Sequence, residues 1–387
     1  MKLGQALILI SSIFASEAFV ASNRPARNTF SLYSTETVSD AATEKREMAK
    51  KKLFGLIGKK PFEDEGYEDP ILADPTTKEP LTLTSTGVLL GGQASSSSVK
   101  ILLKSNDNTF QGKSNTYYNL LADFSLEKIE GKSASDDTSN IASAALNSLL
   151  VFVPPPLRGA LSQGTSVIPM RDLFTNPTVS FAYERGWRQG FAAAGFPGAD
   201  KEYEMVREYF APLNPDVVVD MSCATGLFTR RLAKGNDYKR VIACDYSDSM
   251  LTEARRRIEA DPDLKSDKCS TKLDLVRCDV GNIPMKSESL PALHAGAAMH
   301  CWPDLDAALS EIYRCLIPGG RYFASTFLAE YFRNVAMTDG DSINSQAFQY
   351  FKSPEELKEL LVRNGFESDK VDVEVLGTSC AIIRAEK

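Results

Sequence analysis

The sequence is poor in the residues and patterns that build metal centres. It has 387 residues but only two histidines, and no cysteine precedes residue 223. The seven cysteines form no C-x-x-C pair, and no histidine cluster lies near them with metal-ligand spacing. We therefore predict that no metal is bound. We interpret the cysteines as free thiols, which fits a reducing compartment.

The sequence also lacks an excess of basic charge and a long hydrophobic run. Lys and Arg total 44 against 51 Asp and Glu, which gives a formal net charge of −7. This balance argues against a protein that binds nucleic acid by neutralising phosphates. The apolar stretch 141–153 ends at Pro154 and falls short of the roughly 20 residues that a membrane-spanning helix needs. We interpret it as a buried or interfacial segment, and a peripheral membrane contact stays open.

The first residues have the composition of a targeting presequence. Lys2 is followed by an apolar run at 6–10 and by small residues near 15–18, an order typical of a signal peptide. Residues 19–28 carry Ser and Arg, with no acidic residue from there until Glu36. The segment 15–20, between these two parts, resembles the junction of bipartite plastid presequences in algae with secondary plastids. We predict delivery to the plastid interior. Plain secretion is the alternative, and seven unpatterned cysteines argue against it.

The length favours one large or two modest domains, because a domain takes about 100–200 residues. Two short strand patterns, at 67–72 and 79–83, flank a turn at 74–77 and predict a small β unit near the N-terminus. We divide the chain into a presequence at 1–35, an α+β N-terminal region with linkers at 36–165, an approach segment at 166–212 and a C-terminal domain at 213–387.

The approach segment carries aromatic side chains at helical spacing. Tyr183, Trp187 and Phe191 are four residues apart, so in a helix they share one face, which by default packs in the core. The alternative is a lid over a ligand, with Tyr183, Arg185 and Trp187 against it. Both interpretations stay open at this point.

The stretch 217–226 reads V-V-V-D-M-S-C-A-T-G and predicts a strand, a tight turn and a helix N-terminus. Asp220, Ser222, Ala224 and Gly226 keep the spacing of a glycine-rich nucleotide-binding loop but only one of its glycines. Serine and alanine are small enough for close backbone approach to a ligand unless a positive φ is required there.

Strands and helices alternate from residue 217 onward. The pattern predicts strands at 217–220, 240–245, 272–277, 292–299, 321–327, 371–375 and 380–384, with helices at 226–233, 248–259, 304–316 and after Ser353. Such alternation is typical of a mostly parallel sheet with helices on both faces and the ligand at the carboxyl ends of the strands. We expect an α/β, Rossmann-like, doubly wound fold with a mostly parallel seven-stranded sheet whose last strand is antiparallel.

Acidic residues at two strand ends indicate an adenosine-binding site. Asp245 ends the second strand nineteen residues after Gly226 and can accept both ribose hydroxyls. Tyr246 would lie against the adenine ring. Asp279, with Val280 beside it, ends the third strand and could accept the adenine amino group.

This set of residues resembles class I S-adenosylmethionine-dependent methyltransferases over about residues 175–387. The segments Y-E-R-G-W-R-Q from Tyr183, D-x-S-C-x-T-G from Asp220, the run 294–303 and R-x-L-I-P-G-G from Arg314 are similar to plastid, plastoglobule-associated methyltransferase-like proteins of plants. Those proteins are distant relatives of the ubiquinone and menaquinone methyltransferases. Their relatives often carry a cysteine motif in the N-terminal region. This chain lacks those cysteines, so we infer no zinc.

The resemblance implies S-adenosylmethionine as the cofactor and a small, lipophilic acceptor such as a prenylated quinone or phenol. His300 follows the fourth strand and could act as a general base or orient the acceptor; the alternative is a histidine bonded within its own loop. Trp302 would supply an apolar wall. An NAD(P)-dependent oxidoreductase and a non-catalytic plastid binding protein remain as other interpretations.

Overall fold

The computed structural model describes residues 60–63, 66–90, 93–94, 100–113, 117–124, 174–175, 177–184, 188–264, 269–329, 349 and 351–387. The predicted presequence and the apolar stretch 141–153 lie outside the described residues. The chain divides into two compact units, residues 1–61 with 88–95 and residues 62–87 with 96–387.

From residue 217 onward the elements follow the order that the sequence pattern predicts, with shifted ends: the strand predicted at 321–327 begins at Leu316, five residues earlier. The strands are β1 (Lys60–Glu63), β2 (Tyr67–Ala73), β3 (Pro80–Leu90), β4 (Gln93–Ala94), β5 (Lys100–Lys104), β6 (Thr109–Lys113), β7 (Tyr117–Asn119), β8 (Val217–Met221), β9 (Arg240–Asp245), β10 (Lys272–Arg277), β11 (Leu290–Gly296), β12 (Leu316–Phe327), β13 (Val371–Leu376) and β14 (Cys380–Glu386). The α-helices are α1 (Pro177–Ala182), α2 (Ala199–Phe210), α3 (Leu227–Lys234), α4 (Asp248–Ala260), α5 (Leu305–Cys315) and α6 (Pro354–Arg363). Strands β5, β6 and β7 were not predicted.

The second unit is built on a mixed sheet with a parallel centre. Its strands lie in the order β10, β9, β8, β11, β12, β14, β13. The first five are parallel to one another, and β14 runs antiparallel to both β12 and β13. The expected α/β class, with parallel strands joined through helices, is confirmed.

The sheet continues past β10 into the N-terminal region. Strand β7 pairs with β10 in parallel, with Tyr118 opposite Val276 and Asn119 opposite Arg277. Strands β6, β5 and β3 then follow as antiparallel neighbours. The sheet is therefore longer than the seven strands expected of the C-terminal domain. An unpaired edge of β10 would leave backbone N–H and C=O groups open, and β7 pairs with this edge at its carboxyl end, Val276 and Arg277.

Both faces of the parallel strands are buried, as a doubly wound sheet requires. Neighbouring residues of a strand point to opposite faces. In β8, Val219 packs in a core cluster with Leu309 of α5, whereas Val218 packs in another with Phe210 of α2 and Leu232 of α3. A third cluster joins Leu251 of α4 to the sheet.

A buried ion-pair group ties the N-terminal strands to the amino end of β9. The guanidinium of Arg240 donates to both carboxylate oxygens of Asp69, at 3.0 and 2.9 Å, and its Nε donates to Asp274 Oδ2 at 2.7 Å. Asp69 is fully buried, and the other two side chains are nearly so. Burial alone would raise the pKa of Asp69, but the hydrogen bonds from Arg240 and from backbone N–H groups outweigh it and lower the pKa.

Helix ends follow the sequence signals. Ser247 caps α4 by accepting from the backbone N–H of Met250, and Ser353 caps α6 by accepting from that of Glu356. Pro354 occupies the first turn of α6, as predicted. The approach segment differs from a single helix: α1 ends at Ala182 and a 3₁₀ helix spans Arg188–Ala194.

The described residues contain neither a candidate membrane span nor a candidate metal site. None of the helices in these ranges is both long and apolar enough to cross a membrane. Over the same ranges, no group of three His, Cys, Asp or Glu side chains is placed to hold a metal ion.

Candidate functional site

The first loop of the parallel sheet, residues 222–226, joins β8 to α3 with three residues at positive φ. Ser222 has φ of 57°, Ala224 of 49° and Gly226 of 75°. Glycine adopts this conformation freely, whereas a residue with a side chain is strained there by about 1–2 kcal/mol. We expected serine and alanine to be tolerable unless positive φ was required. The structure requires it at both positions, so this loop keeps the shape of a glycine-rich loop at a cost in backbone strain.

Gly226 ends the loop and begins α3. A Cβ atom at Gly226 would lie 3.3 Å from the Cβ of Ala254 in α4. Glycine therefore serves two needs at this position, the positive φ and the close approach of two helices. Gly226 packs against α4 and is not among the residues that line the cleft described next.

A cleft opens at the carboxyl edge of the sheet, where the first four parallel strands end. It brings together Ser222, Ala224, Asp245, Tyr246, Asp279, Val280, Tyr183 and Trp302, all of which the sequence had singled out. Asp245 and Asp279 are carboxylates, and none of the described lining residues is Lys or Arg. The cleft therefore favours a cationic or neutral ligand over a phosphate.

Asp245 connects the first loop to the second strand. Its Oδ2 accepts from the backbone N–H of Ala224 at 2.9 Å, and its Oδ1 accepts from that of Ser247 at 2.8 Å. Desolvation is the largest influence on this carboxyl and raises its pKa from 3.8 to about 6, because the two backbone hydrogen bonds offset it only in part. Each carboxylate oxygen retains acceptor capacity for a ligand hydroxyl.

Trp302 also lines the cleft and contacts the first loop. Its indole Nε1 donates to Ser222 Oγ at 3.0 Å, and the side chain is 4% exposed. The strained Ser222 thus gains a partner that alanine or glycine would not provide. Asp279 is held locally, since its Oδ1 accepts from the backbone N–H of Gly281 at 2.9 Å.

Asp220 lies behind the cleft lining. It is 2% exposed, accepts from Thr229 Oγ1, and its Oδ1 lies 2.9 Å from Nδ1 of His294. A carboxylate at the start of this loop would suit the amino group of S-adenosylmethionine, and that contact is a prediction. In the described structure Asp220 contacts the helix that follows the loop, because it accepts the hydrogen bond of Thr229 in the first turn of α3.

His300 is buried and is not among the lining residues. Its ring packs edge-on against Phe327, with 4.9 Å between ring centroids. Desolvation, followed by the charge of Arg188, lowers its pKa to about 3. The imidazole is therefore neutral at pH 7 and a weak base, a placement that disfavours the general-base role, which stays a prediction.

Part of the approach segment covers the cleft. Tyr183 lines it and is 8% exposed. The adjacent Glu184 receives hydrogen bonds from Thr225 in the first loop, Arg230 of α3 and Arg257 of α4. Arg185 and Trp187, the other two residues of the predicted lid, lie outside the described residues.

Several lining residues were not singled out from the sequence. They are Phe174, Met221, Ser247, Met250, Cys278, Ala297, Ala298, Cys301 and Pro303. Ala297 and Ala298 directly follow β11, so the rule that ligands bind at carboxyl ends of strands could have found them. Ala297 also has positive φ, 50°. Phe174 gave no local signal, because it reaches the cleft only through the path of the chain before α1.

The sequence of the parallel strands matches a known family. Residues 219–324, from β8 to β12, match the family model described as a methyltransferase domain. This part of the chain is similar to methyltransferase domains. The cleft residues from Met221 to Pro303 fall inside the matched range, whereas Phe174 and Tyr183 precede it.

Relatives of this methyltransferase domain carry similar descriptions. Two are uncharacterised chloroplastic methyltransferases of Arabidopsis thaliana, 46% and 43% identical over 157 residues, which is 41% of this chain. A ubiquinone/menaquinone biosynthesis C-methyltransferase of Desulfotalea psychrophila is 26% identical over 168 residues, 42% of this chain and 58% of that protein. The chain spans less than half the length of the two Arabidopsis relatives, 44% and 43%.

Proposed function

We propose that the chain is an S-adenosylmethionine-dependent methyltransferase that acts on a small, lipophilic acceptor in the plastid. The observation that carries the proposal is the Asp245 carboxylate. It lies at the end of the second strand, in contact with the first loop and open to the cleft. The family match of residues 219–324 supports the same activity.

The described residues fit this cofactor. Asp245 offers acceptor oxygens for the two ribose hydroxyls, and Tyr246 and Val280 flank the place where an adenine ring would lie. The left-handed loop at Ser222 and Ala224 brings the backbone close to the cleft. The acidic lining suits a sulfonium cation and an ammonium group, which S-adenosylmethionine carries.

The same features argue against an NAD(P)-dependent oxidoreductase. A dinucleotide brings a pyrophosphate to the first loop, where it needs backbone N–H groups or basic side chains. Here the N–H of Ala224 is taken by Asp245, and the described lining has no basic side chain. A carboxylate at that place repels a phosphate.

The proposed acceptor class and the proposed plastid location are supported by the composition of the cleft and by the names of the relatives. Cleft residues on the Trp302 side are mostly apolar, among them Ala297, Ala298 and Pro303, which suits a lipophilic acceptor such as a prenylated quinone or phenol. The name of the Desulfotalea relative agrees with a quinone. The names of the Arabidopsis relatives agree with the plastid, as does the predicted presequence. A contact with a membrane or plastoglobule surface belongs to the same proposal.

The residues of the chain would act mainly by positioning. S-adenosylmethionine supplies an electrophilic methyl group on sulfur, and its transfer is an in-line displacement. Holding the acceptor in line and excluding water supplies most of the rate. Tyr183 and Trp302 exclude water from two sides of the cleft. An acceptor with an acidic proton needs a base, and His300 is neutral but weakly basic there.

Equilibrium binding tests the cofactor assignment. We expect calorimetric titration to give micromolar or tighter binding of S-adenosylmethionine and none of NAD⁺ or NADP⁺. Asp245→Asn should weaken the binding at least about tenfold, because it removes a charged acceptor of two hydroxyl hydrogen bonds. Asp263→Asn is the matched control, since that carboxylate is exposed and distant in sequence from the cleft residues.

Three results of the titration separate the alternatives. Binding of NAD⁺ without S-adenosylmethionine would favour the oxidoreductase. Binding of neither ligand would favour a non-catalytic protein that keeps the fold. Unchanged affinity in Asp245→Asn would contradict the role assigned to that residue.

A labelling experiment tests the acceptor class. The protein is incubated with S-adenosylmethionine labelled in the methyl group and a plastid lipid extract, and products are separated by mass spectrometry. We expect label in a quinone- or phenol-containing lipid. Label found only in water-soluble compounds would contradict a lipophilic acceptor, and the heat-inactivated protein is the control for chemical methylation.

A further inference from the structure

The N-terminal strands contact the methyltransferase domain close to the cofactor side of the cleft. Strand β7 pairs with β10 next to the point where β10 ends, and the backbone N–H of Leu120 donates to the carbonyl of Arg277 at 2.9 Å. Arg277 is the last residue of β10 and directly precedes Cys278 and Asp279, which line the cleft. The N-terminal region therefore fixes the backbone at one edge of the site.

The side chain of Arg277 links this region to Tyr246. Its Nε donates to the backbone carbonyl of Tyr246 at 2.9 Å. The guanidinium carbon lies 5.8 Å from the centroid of the Tyr246 ring and 5.1 Å from that of Phe124, which follows β7. Both distances are within the range of cation–π attraction, about 6 Å. Arg277 itself is not among the residues that line the cleft.

A second contact from the same strand holds the chain just after Tyr246. The hydroxyl of Tyr117 donates to Asp248 Oδ1 at 2.8 Å, and Tyr117 is 5% exposed. Asp248 is the first residue of α4 and follows Ser247, whose N–H is bound by Asp245. Tyr246 thus lies between two points that β7 and its neighbours hold in place.

From this geometry we propose that Arg277 is a positioning residue of the cofactor site, and that residues 117–124 are a working part of that site. Arg277 holds Tyr246 against the adenine of the bound cofactor, and Phe124 holds Arg277. The family match covers residues 219–324, so Arg277 lies inside the matched range, whereas the contribution of residues 117–124 comes from outside it. The inference rests on the proposed function.

The test is a double-mutant cycle on S-adenosylmethionine binding. We expect Arg277→Met to weaken binding by about tenfold and Tyr246→Ala by a similar factor. The first substitution removes the contact that orients the Tyr246 ring, and the second removes the ring itself. The loss of affinity in the double variant should be smaller than the product of the two single losses, since Arg277 and the Tyr246 ring act together and only the bond from Arg277 to the backbone carbonyl of residue 246 is left in Tyr246→Ala. Arg277→Lys keeps a cation near both rings and should restore most of the affinity.

Two further variants distinguish a specific loss of binding from a loss of folding. Phe124 is 40% exposed, so Phe124→Ala should fold normally and still weaken binding by roughly threefold. Arg256→Met is the matched control, because Arg256 lies on the exposed side of α4 and pairs with Glu253; its binding should equal that of the unaltered chain.

The possible failures are distinguishable. Unaltered binding in both Arg277→Met and Phe124→Ala, or additive losses in the double variant, would overturn the inference and leave the proposed function standing. Absence of S-adenosylmethionine binding by the unaltered chain would overturn the proposed function and the inference together.

Discussion

The two edges of the parallel sheet differ in what is bonded to their buried carboxylates: an arginine at the amino edge and backbone N–H groups at the carboxyl edge. At the amino edge, Arg240 lies between Asp69 and Asp274, and the pKa of Asp69 is lowered. At the carboxyl edge, Asp245 is held by backbone N–H groups, with no side-chain cation on it in the described ranges, and desolvation raises its pKa to about 6. Paired charges stabilise the first edge, whereas the second keeps an unneutralised carboxylate for a ligand.

Residues other than glycine adopt positive φ at both edges: Asn214, Asn236 and Glu288 precede parallel strands at the amino edge. Ser222, Ala224 and Ala297 have positive φ and all line the cleft at the carboxyl edge. Strained residues persist where the surrounding structure holds them, and they concentrate at functional sites. The edges differ in how their buried carboxylates are paired, and the amino edge holds the N-terminal strands to the sheet through Arg240 and Asp69.

The largest expected effect is at the amino edge. Arg240→Ala leaves Asp69 and Asp274 buried without their cation and should lower the free energy of unfolding by about 3–5 kcal/mol. The free energy of unfolding of Arg240→Lys should lie between that of Arg240→Ala and that of the unaltered chain. A lysine keeps the positive charge but cannot donate to both oxygens of Asp69 and to Asp274 in one plane. Urea unfolding followed by circular dichroism measures both.

Arg256→Ala is the control for this prediction. Arg256 is more than half exposed and pairs with Glu253 on the surface of α4, so its loss should leave the urea midpoint nearly unchanged. A loss in Arg240→Ala no larger than in this control would show that the two edges do not differ in stability.

An intermediate effect is expected from pH at the carboxyl edge. The pKa of Asp245 is raised to about 6, so this carboxyl becomes protonated as pH falls through 6 and loses acceptor capacity. Affinity for S-adenosylmethionine should be constant above pH 7 as far as this group is concerned. It should fall about tenfold at pH 5, because only the ionised form binds fully.

Calorimetric titrations between pH 5 and 7 measure this effect. In this window the amino group of the ligand stays protonated, so the change reports on the protein. The variant Asp245→Asn should bind weakly but with no pH dependence. A flat profile in the unaltered chain would contradict either the raised pKa or the role of Asp245.

The smallest expected effect concerns backbone strain. Ala224→Gly relieves the positive φ of 49° and should stabilise the protein by about 0.5–1 kcal/mol, after the greater freedom of glycine in the unfolded chain is subtracted. Ala307→Gly, in the first turn of α5, makes the same chemical change at ordinary helical φ and should destabilise by up to about 1 kcal/mol. Thermal unfolding of both variants compares them directly, and a shared sign would argue against strain in the loop.

Local sequence patterns predicted the elements of the parallel sheet well. The bounds of β9 and β10 match the predicted segments 240–245 and 272–277, because these strands are apolar runs bounded by polar residues. Ser353 and Pro354 marked the start of α6. Once the strands were placed, the rule that ligands bind at carboxyl ends put Ser222, Asp245, Tyr246 and Asp279 at one edge, and the cleft contains all four.

Features that depend on contacts between distant segments were not predictable. His300 follows β11 as expected, but its burial against Phe327 and the effect on its pKa arise from tertiary packing. In the described ranges α1 ends at Ala182 and a 3₁₀ helix spans Arg188–Ala194, so Tyr183 lies outside α1 and Phe191 lies in the 3₁₀ helix. Both side chains are buried, as the alternative of core packing implies.

The sequence by itself determined the α/β class, the order of strands and helices and the acidic residues at the strand ends, since these depend on local periodicity and on chain direction. Tertiary structure alone decided the positive φ of Ser222 and Ala224, the withdrawal of Asp220 behind the cleft and the pairing of β7 with β10. Each of these depends on which distant groups meet in space. Hydrophobic periodicity carries no information about that choice.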